Sequence, residues 1–508
     1  MVEKDNKRIV KNTIFLYVRS IIVFLISLYT TRVVLRSLGV EDYGVLNVVS
    51  GFVTMFGFLQ VSLGKAIQRF YNFAKGTNDL QNMSSIYTSS LLIQAMFAII
   101  IVIVTESIGL WALNNYLVLP EGREHAAFWV FQFATISMVF TIMTPPFSAA
   151  IVAHEEMHIF AYISVLDAFL KLGVATSLLF VPFDKLITFS SLMLLTSIIY
   201  FGINFVYAKR HFPELVFSRQ ATSKEEFRSI LSFSGWNVVA AFSNIMKSQG
   251  VNVLLNRFFG TVVNAARGIS SQILMAIKML VDNIQVAVKP QLVQSYARGD
   301  INRTFDLMFF ISKITFVLTY LFALPIVLEI HQILHLWLGD SVPNYTEIFT
   351  LIIILISLVD CLNAPVSFVI QAANKMKRYH LTYSIILLLI VPVSYIALKM
   401  GGDPTSVFWV SLGVGIVNQA ACLYVLKKEI PFSLRLYVKK VILPCLLVFV
   451  LSPIIPLALR NVIPESILRA VIIAVVSVSI TALIVLFLAC DQRERQFIRS
   501  LIHRKKKA

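Results

Sequence analysis

The sequence predicts an all-α polytopic membrane protein of about fourteen transmembrane helices. Three observations predict it. The 508-residue chain is 57% hydrophobic and only 14% charged, with a mean hydropathy of +0.79. Soluble chains are typically about 45–50% apolar and about 25% charged. Apolar runs long enough to span the hydrocarbon, about 20 residues each, recur along the whole length. The basic residues are distributed unequally between the connections on the two sides.

The runs fall at 12–35, 44–63, 86–113, 128–153, 159–181, 186–208, 231–256, 262–292, 307–330, 346–371, 380–400, 405–426, 439–459 and 467–490. They are too long, and alternate too little, for barrel strands. The first run is too long for a cleavable signal and is followed by no small-residue cleavage site, so it reads as the first membrane helix. With the N-terminus inside, the tails and inside loops hold 29 of the 44 Lys and Arg residues and the outside loops hold 6. This bias predicts that both termini are cytoplasmic. The net charge of +17 is therefore read as membrane topology, and the basic tail as a contact for anionic membrane lipids. No nucleic-acid partner is expected.

An internal repeat organises the runs. At a shift of 221, Arg36 and Gly39 meet Arg257 and Gly260; at 223, "FAKGT" (Phe73–Thr77) meets "YARGD" (Tyr296–Asp300). At 219, "PFSAAIVAHEEM" from Pro146 meets "PVSFVIQAANKM" from Pro365. Six helices separate the copies, so both have the same orientation. The expected arrangement is two parallel-repeat six-helix lobes around a central cavity, residues 1–215 and 216–430, followed by two additional helices and a basic cytoplasmic tail in 431–508. Transporters built from such repeats place substrate between the halves and alternate its access.

Charges inside the membrane cost about 2.5–3.5 kcal/mol each at the centre of a helix on insertion scales, so they are expected to face the interior or water. On the eighth helix Asn264, Arg267, Ser271, Lys278, Asp282, Gln285 and Lys289 fall within roughly 60° of arc, forming one mainly cationic stripe. Lys278 and Asp282 are spaced to pair. The seventh helix carries Asn237, Asn244, Ser248 and Asn252 on one face, with Lys247 beside them. The second carries Tyr43, Asn47, Ser50, Thr54 and the glycines 57 and 64. Arg19 and Arg32 lie on the first helix, about 20 Å apart along its axis, and share one cavity only if that helix bends. Asp167 and Lys171 form an i, i+4 pair on the fifth helix. Asp360 has no basic residue three or four positions away in sequence. Asp167 and Asp360 are the candidates for ion coupling. A cavity lined by guanidinium and ammonium groups suits an anion such as a diphosphate.

Other chemistries are weakly supported. "HEEMH" (His154–His158) fits the zinc-protease pattern. It falls at the junction of the fourth and fifth helices, its repeat partner is "ANKMK", and no third-ligand motif accompanies it. "HQILH" (His331–His335) is weaker. The cysteines at 361, 422, 445 and 490 are far apart in apolar runs and give no disulfide or zinc spacing. No phosphate loop, nucleophile elbow or dinucleotide fingerprint occurs. No cofactor and no metal are expected, and the chain does not read as an enzyme. No outside connection exceeds about 16 residues, whereas membrane polymerases and ligases of polysaccharides usually carry a sizeable outer loop.

"RSLGVEDYG" after the first helix, "GKAIQRFYNFAKG" (Gly64–Gly76) after the second and "PFSAAIVAHEEM" ending the fourth resemble the Wzx-type lipid-linked oligosaccharide flippases. These belong to the multidrug/oligosaccharidyl-lipid/polysaccharide exporter superfamily. The resemblance covers most of the chain and is strongest over about its first 160 residues. It implies a flippase of the bacterial cytoplasmic membrane that moves undecaprenyl-diphosphate-linked oligosaccharide, such as an O-antigen unit, for surface polysaccharide assembly, alongside other assembly proteins. By position it implicates Arg19, Arg32, Lys247 and Arg267. The alternatives are a drug/cation antiporter of the same fold and, in a different class, a polymerase, ligase or zinc protease. Antiporters of the multidrug type often use an acidic residue in the first helix, where this chain carries arginines.

Overall fold

The computed structural model describes residues 2–76, 80–217, 227, 239, 241–373 and 375–489. Every regular element among them is a helix. Among the described residues eleven helices are long and apolar enough to cross a membrane, and the chain is a multi-pass membrane protein. The expected first and second segments are joined in the span Val18–Thr54, because helix continues on both sides of Gly39. The expected eighth segment is helical over Thr261–Ala297 and carries several side chains outside the described residues. The seventh lies partly outside the described residues. Its described part is helical at 241–245, takes a π-helical turn at Met246–Gly250 and resumes as Val251–Phe259.

The repeat has a backbone signature. Gly39 has φ 82° and ψ 172°, and Gly260 has φ 78° and ψ −170°. This region of backbone space is almost closed to residues with a Cβ. At both places one glycine replaces the loop expected between two membrane helices. The third match also holds. "PFSAAIVA" forms the short helix Pro145–Ala153 after a break at Thr144, and its partner forms Asn363–Ala372 after a break at Cys361 and Leu362. Proline lacks the N–H that an uninterrupted helix needs and clashes with the preceding turn. The second break is supported by side chains. The Tyr379 hydroxyl donates to Asn363 Oδ1 (2.8 Å), Asn363 Nδ2 to Gln419 Oε1 (3.2 Å), and Gln419 Nε2 to the Leu362 carbonyl (3.2 Å).

The chain divides into two compact units, Met1–Ile269 with Leu387–Pro404, and Ser270–Ile386 with Thr405–Ala508. The first packs around Val45, Ile67, Tyr71, Tyr87, Phe131 and Phe147. Arg123 clasps Asp42 (2.5 and 2.7 Å), in the helix just after Gly39, and Asp184 (2.6 Å). Asp184 also caps the helix Lys185–His211 by accepting from Leu186 N and Ile187 N, both at 3.0 Å. The second unit packs around Met308, Ile311, Phe309, Val366, Tyr379 and Tyr437. There Arg469 (5% exposed) meets Glu329 (2%) at 2.8 Å, joining the final membrane helix to the end of Ile301–Leu328.

Candidate functional site

The polar stripes of the second, seventh and eighth helices meet in the first unit at a glycine-lined crossing. A Cβ on Gly44 would lie 2.0 Å from the Thr261 carbonyl oxygen. On Gly51 it would lie 2.7 Å from Gln249 Oε1, and on Gly268 2.7 Å from Asn47 Oδ1. The absent side chains let the helices approach closely enough for amides to bond across them. Asn252 Nδ2 donates to the Asn47 carbonyl (3.2 Å), and Asn264 Nδ2 donates to Asn252 Oδ1 (2.8 Å) and its carbonyl (2.7 Å). Asn252 and Asn264 are buried. Asn256 Oδ1 and Nδ2 pair with both backbone groups of Val118. This end of the stripes is therefore packing, and not an open lining.

Further along, the stripes carry charge. The Arg267 guanidinium is half-buried and donates from Nη2 to the Ser248 carbonyl (2.6 Å) and hydroxyl (3.3 Å). Ser248 sits in the π-helical turn that also carries Lys247, which is half-buried. Such turns leave backbone groups outside the α-helical ladder and recur at functional sites. Asn244 is exposed just before the turn, and Asn237 lies outside the described residues.

Arg19 projects elsewhere in the same unit. Its Nη1 donates to Ser164 Oγ (3.4 Å), its guanidinium lies 5.0 Å over Phe160, and its Nε is buried with no bonding partner. Tyr200 is in electrostatic range of both Arg19 and Asp167. Asp167 is ion-paired to Lys171 at 2.7 Å, the i, i+4 pair the spacing predicts. Arg32 is exposed, and no non-helical residue separates it from Arg19, so these two arginines occupy different faces of one helix.

In the second unit Lys289 donates to Gln371 Oε1 (3.0 Å) and lies 5.0 Å over the Phe368 ring, while Gln371 Nε2 donates to Ser367 Oγ. Lys278 is exposed. Lys278 and Asp360 both act electrostatically on Cys361, which places them around the break that follows Thr346–Asp360. The Asp282 side chain lies outside the described residues, although its backbone is helical. The buried cations Lys313 and Arg469 were not singled out from sequence. Lys313 is buried and donates to the Ala489 carbonyl at 2.9 Å, the last residue of a π-helical turn. Its signal was a lone lysine in the apolar run "FFISKITF".

"HEEMH" does not form one helical turn. His154 ends one helix, Glu155 has φ 61°, and the next helix starts at Met157. His154 contacts Glu214, Glu156 accepts from the Tyr207 hydroxyl, and His158 packs edge-on against Tyr162. His331 of "HQILH" contacts Glu347 at 2.7 Å.

Known proteins share this architecture. The inward closed structure of the lipid II flippase MurJ matches with a TM-score of 0.64 at 14% identity, covering 97% of this chain and 100% of MurJ. The two chains share one helical fold. An inward-facing multidrug resistance MATE family transporter of the MOP superfamily matches with a TM-score of 0.66 at 13% identity, over 80% of this chain and 94% of its own. In sequence, the uncharacterized membrane protein EpsK of Bacillus subtilis (strain 168) is 20% identical over 422 residues, 82% of this chain and 80% of EpsK. No family model matches.

Proposed function

We propose that the chain is a flippase for an anionic, lipid-linked substrate, namely undecaprenyl-diphosphate-linked oligosaccharide destined for surface polysaccharide. The observation that carries this reading is the pairing of Arg267 with the π-helical turn that bears Lys247. It sets two cations beside backbone groups released from the helical ladder, inside segments that would otherwise be apolar. Guanidinium and ammonium groups bind diphosphate oxygens through charge-assisted hydrogen bonds. In the same unit Arg19 and Arg32 are further candidate cations and Asn244 a candidate for sugar hydroxyls. Lys278 and Lys289 are candidates within the second unit. Asn237 and the Asp282 side chain, the remaining candidates from sequence, lie outside the described residues. The likeness to MurJ extends over nearly the whole chain, its last two helices included, whereas the multidrug transporter covers less of it. That difference favours a lipid substrate.

In this reading the two repeat lobes alternate access across the cytoplasmic membrane with both termini inside. The ion gradient or membrane potential drives the step, worth about 2.3 kcal/mol per charge per 100 mV. Asp167 and Asp360 are the candidate coupling acids. The reading is tested in cells lacking the chromosomal copy. Arg19→Ala, Lys247→Ala and Arg267→Ala should each lower surface polysaccharide at equal protein abundance. Wild-type levels in all three variants would reject the cationic site. The multidrug neighbours support a second reading, a drug/cation antiporter. Resistance to a panel of cationic dyes, lost with Asp167→Asn or Asp360→Asn and kept with Arg267→Ala, would favour it.

A further inference from the structure

The residues of "HEEMH" make contacts of their own. The helix Pro145–Ala153 ends on His154 as its C-cap. His154 Nδ1 lies 2.9 Å from the Ala150 carbonyl oxygen, and Nε2 lies 2.8 Å from Glu214 Oε1. The tautomer with its hydrogen on Nδ1 donates to the Ala150 carbonyl, and the contact between Nε2 and the carboxyl oxygen is then a hydrogen bond only when the pair holds one further proton. Both side chains are largely enclosed, 16% and 10% exposed, and the imidazole stacks on Phe212 at 4.0 Å and 19°.

The groups facing this pair come from four elements. Lys75 Nζ bonds the Ala153 carbonyl (3.3 Å), and Lys209 Nζ bonds the Leu215 carbonyl (2.5 Å) and lies over Tyr87. Glu156 takes the Tyr207 hydroxyl, and His211 stacks on Tyr207. The buried Tyr71 hydroxyl is in electrostatic range of Glu214, and Glu155 follows His154 in the chain. The second half has a corresponding joint with different charge chemistry. Glu429, at the end of Ser406–Glu429, meets Arg378 (3.6 Å) and Lys375 (3.9 Å) just after Asn363–Ala372, the repeat partner of Pro145–Ala153. Arginine and lysine keep their charge where histidine loses it.

We propose that His154 and Glu214 form a proton-binding latch that fastens the end of Pro145–Ala153 to the segment following Lys185–His211. With the proton bound, the latch is closed. As pH rises and the proton leaves, a lone pair faces a carboxylate and the contact opens. The corresponding joint at Glu429 has no such response, so a rise in pH loosens one half of the repeat and leaves the other fastened.

The test is hydrogen–deuterium exchange of the full chain in lipid nanodiscs at about pH 5.5 and about pH 8.5, which brackets the range in which histidine changes charge. Wild type is compared with His154→Phe at each pH, so that intrinsic exchange chemistry cancels. In peptides spanning 150–158 and 208–216, wild type should be about ten-fold better protected at the lower pH, as for loss of a charge-assisted hydrogen bond, and nearly equal at the higher. In Glu214→Gln the amide can donate to the neutral ring or accept from the charged one, so the dependence should flatten. Peptides spanning 426–432 should not respond. A wild-type ratio that is the same at both pH values, or a Glu214→Gln that keeps the full wild-type dependence, overturns the proposal. If neither variant folds, the side-chain NMR signals of the wild type decide it, and a neutral imidazole beside an ionised Glu214 at the lower pH overturns it.

Discussion

The side-chain oxygen of Asn47 occupies the space a Cβ on residue 268 would need, 2.7 Å from its ideal position. Asn47 and Gly268 are also repeat mates at the shift that superposes Gly39 on Gly260. Equivalent positions of the two copies thus touch at the crossing of the second and eighth helices. Gly44 is tighter, because its neighbour is the Thr261 backbone, which cannot rotate away. Gly44→Ala should therefore destabilise by about 1–3 kcal/mol through overpacking, more than Gly268→Ala, which meets an amide side chain. Thermal unfolding in one detergent would read the order. Equal effects would reject the close crossing.

Gly39 and Gly260 make a different case. Neither has an atom within 4 Å of an added Cβ, yet both have φ near 80°. Alanine at either should cost about 1–3 kcal/mol through backbone strain alone. The two costs should be similar, because the conformations match. Asparagine tolerates positive φ better than alanine but not this extended ψ, so it should restore little. Unfolding midpoints of the four single variants check this.

The clasp at Arg123 gives a pH dependence. Partial burial pushes the Asp184 carboxyl up, but the Ile187 amide and the Arg123 guanidinium outweigh it, so its pKa is lowered. Burial likewise lowers the Arg123 guanidinium, and its two carboxylate partners more than reverse that. A carboxylate with a lowered folded pKa stabilises fully above the unfolded value, about 3.9, and that stability is lost as pH falls through the folded value. Asp184→Ala should cost about 0.5–2 kcal/mol near neutral pH through the lost helix cap. The wild-type and variant unfolding midpoints should converge in acid.

The Arg469–Glu329 pair is nearly enclosed, with one unsatisfied polar atom on each residue. Arg469 also bonds the exposed Glu465 at 3.1 Å, so Glu329→Ala leaves it one solvent-facing carboxylate partner and should lower the unfolding midpoint. The double variant Glu329→Leu/Arg469→Leu should recover much of that. A double variant as unstable as the single one would mean that the pair, and not its stranded charge, supplies the stability.

The helical architecture was legible because membrane spans are read from length and apolarity, which are local. The repeat was legible at Gly39/Gly260 and at the two proline breaks, because a backbone requirement leaves few residue choices. The site was harder to read. Periodicity placed Arg267 and Lys289 on one stripe without partners, and their partners proved to be the Ser248 carbonyl and Gln371, on other helices. The π-helical turn at Lys247 has no sequence signature of its own. The amide stripe at Asn47, Asn252 and Asn264 reads the same whether it lines open space or fills a crossing. Only the glycines opposite it decide, and pairing them requires the packed chain.

The most direct measurement is flipping of a fluorescent undecaprenyl-diphosphate oligosaccharide in proteoliposomes carrying wild type, Lys247→Ala or Arg267→Ala at matched incorporation. Wild type should move the lipid, and each variant should lower the initial rate about ten-fold or more, the scale of one lost charge-assisted contact. Movement at the wild-type rate in both variants, or no lipid movement by a wild type that moves cationic dyes, would contradict the assignment of this cationic site to a lipid diphosphate.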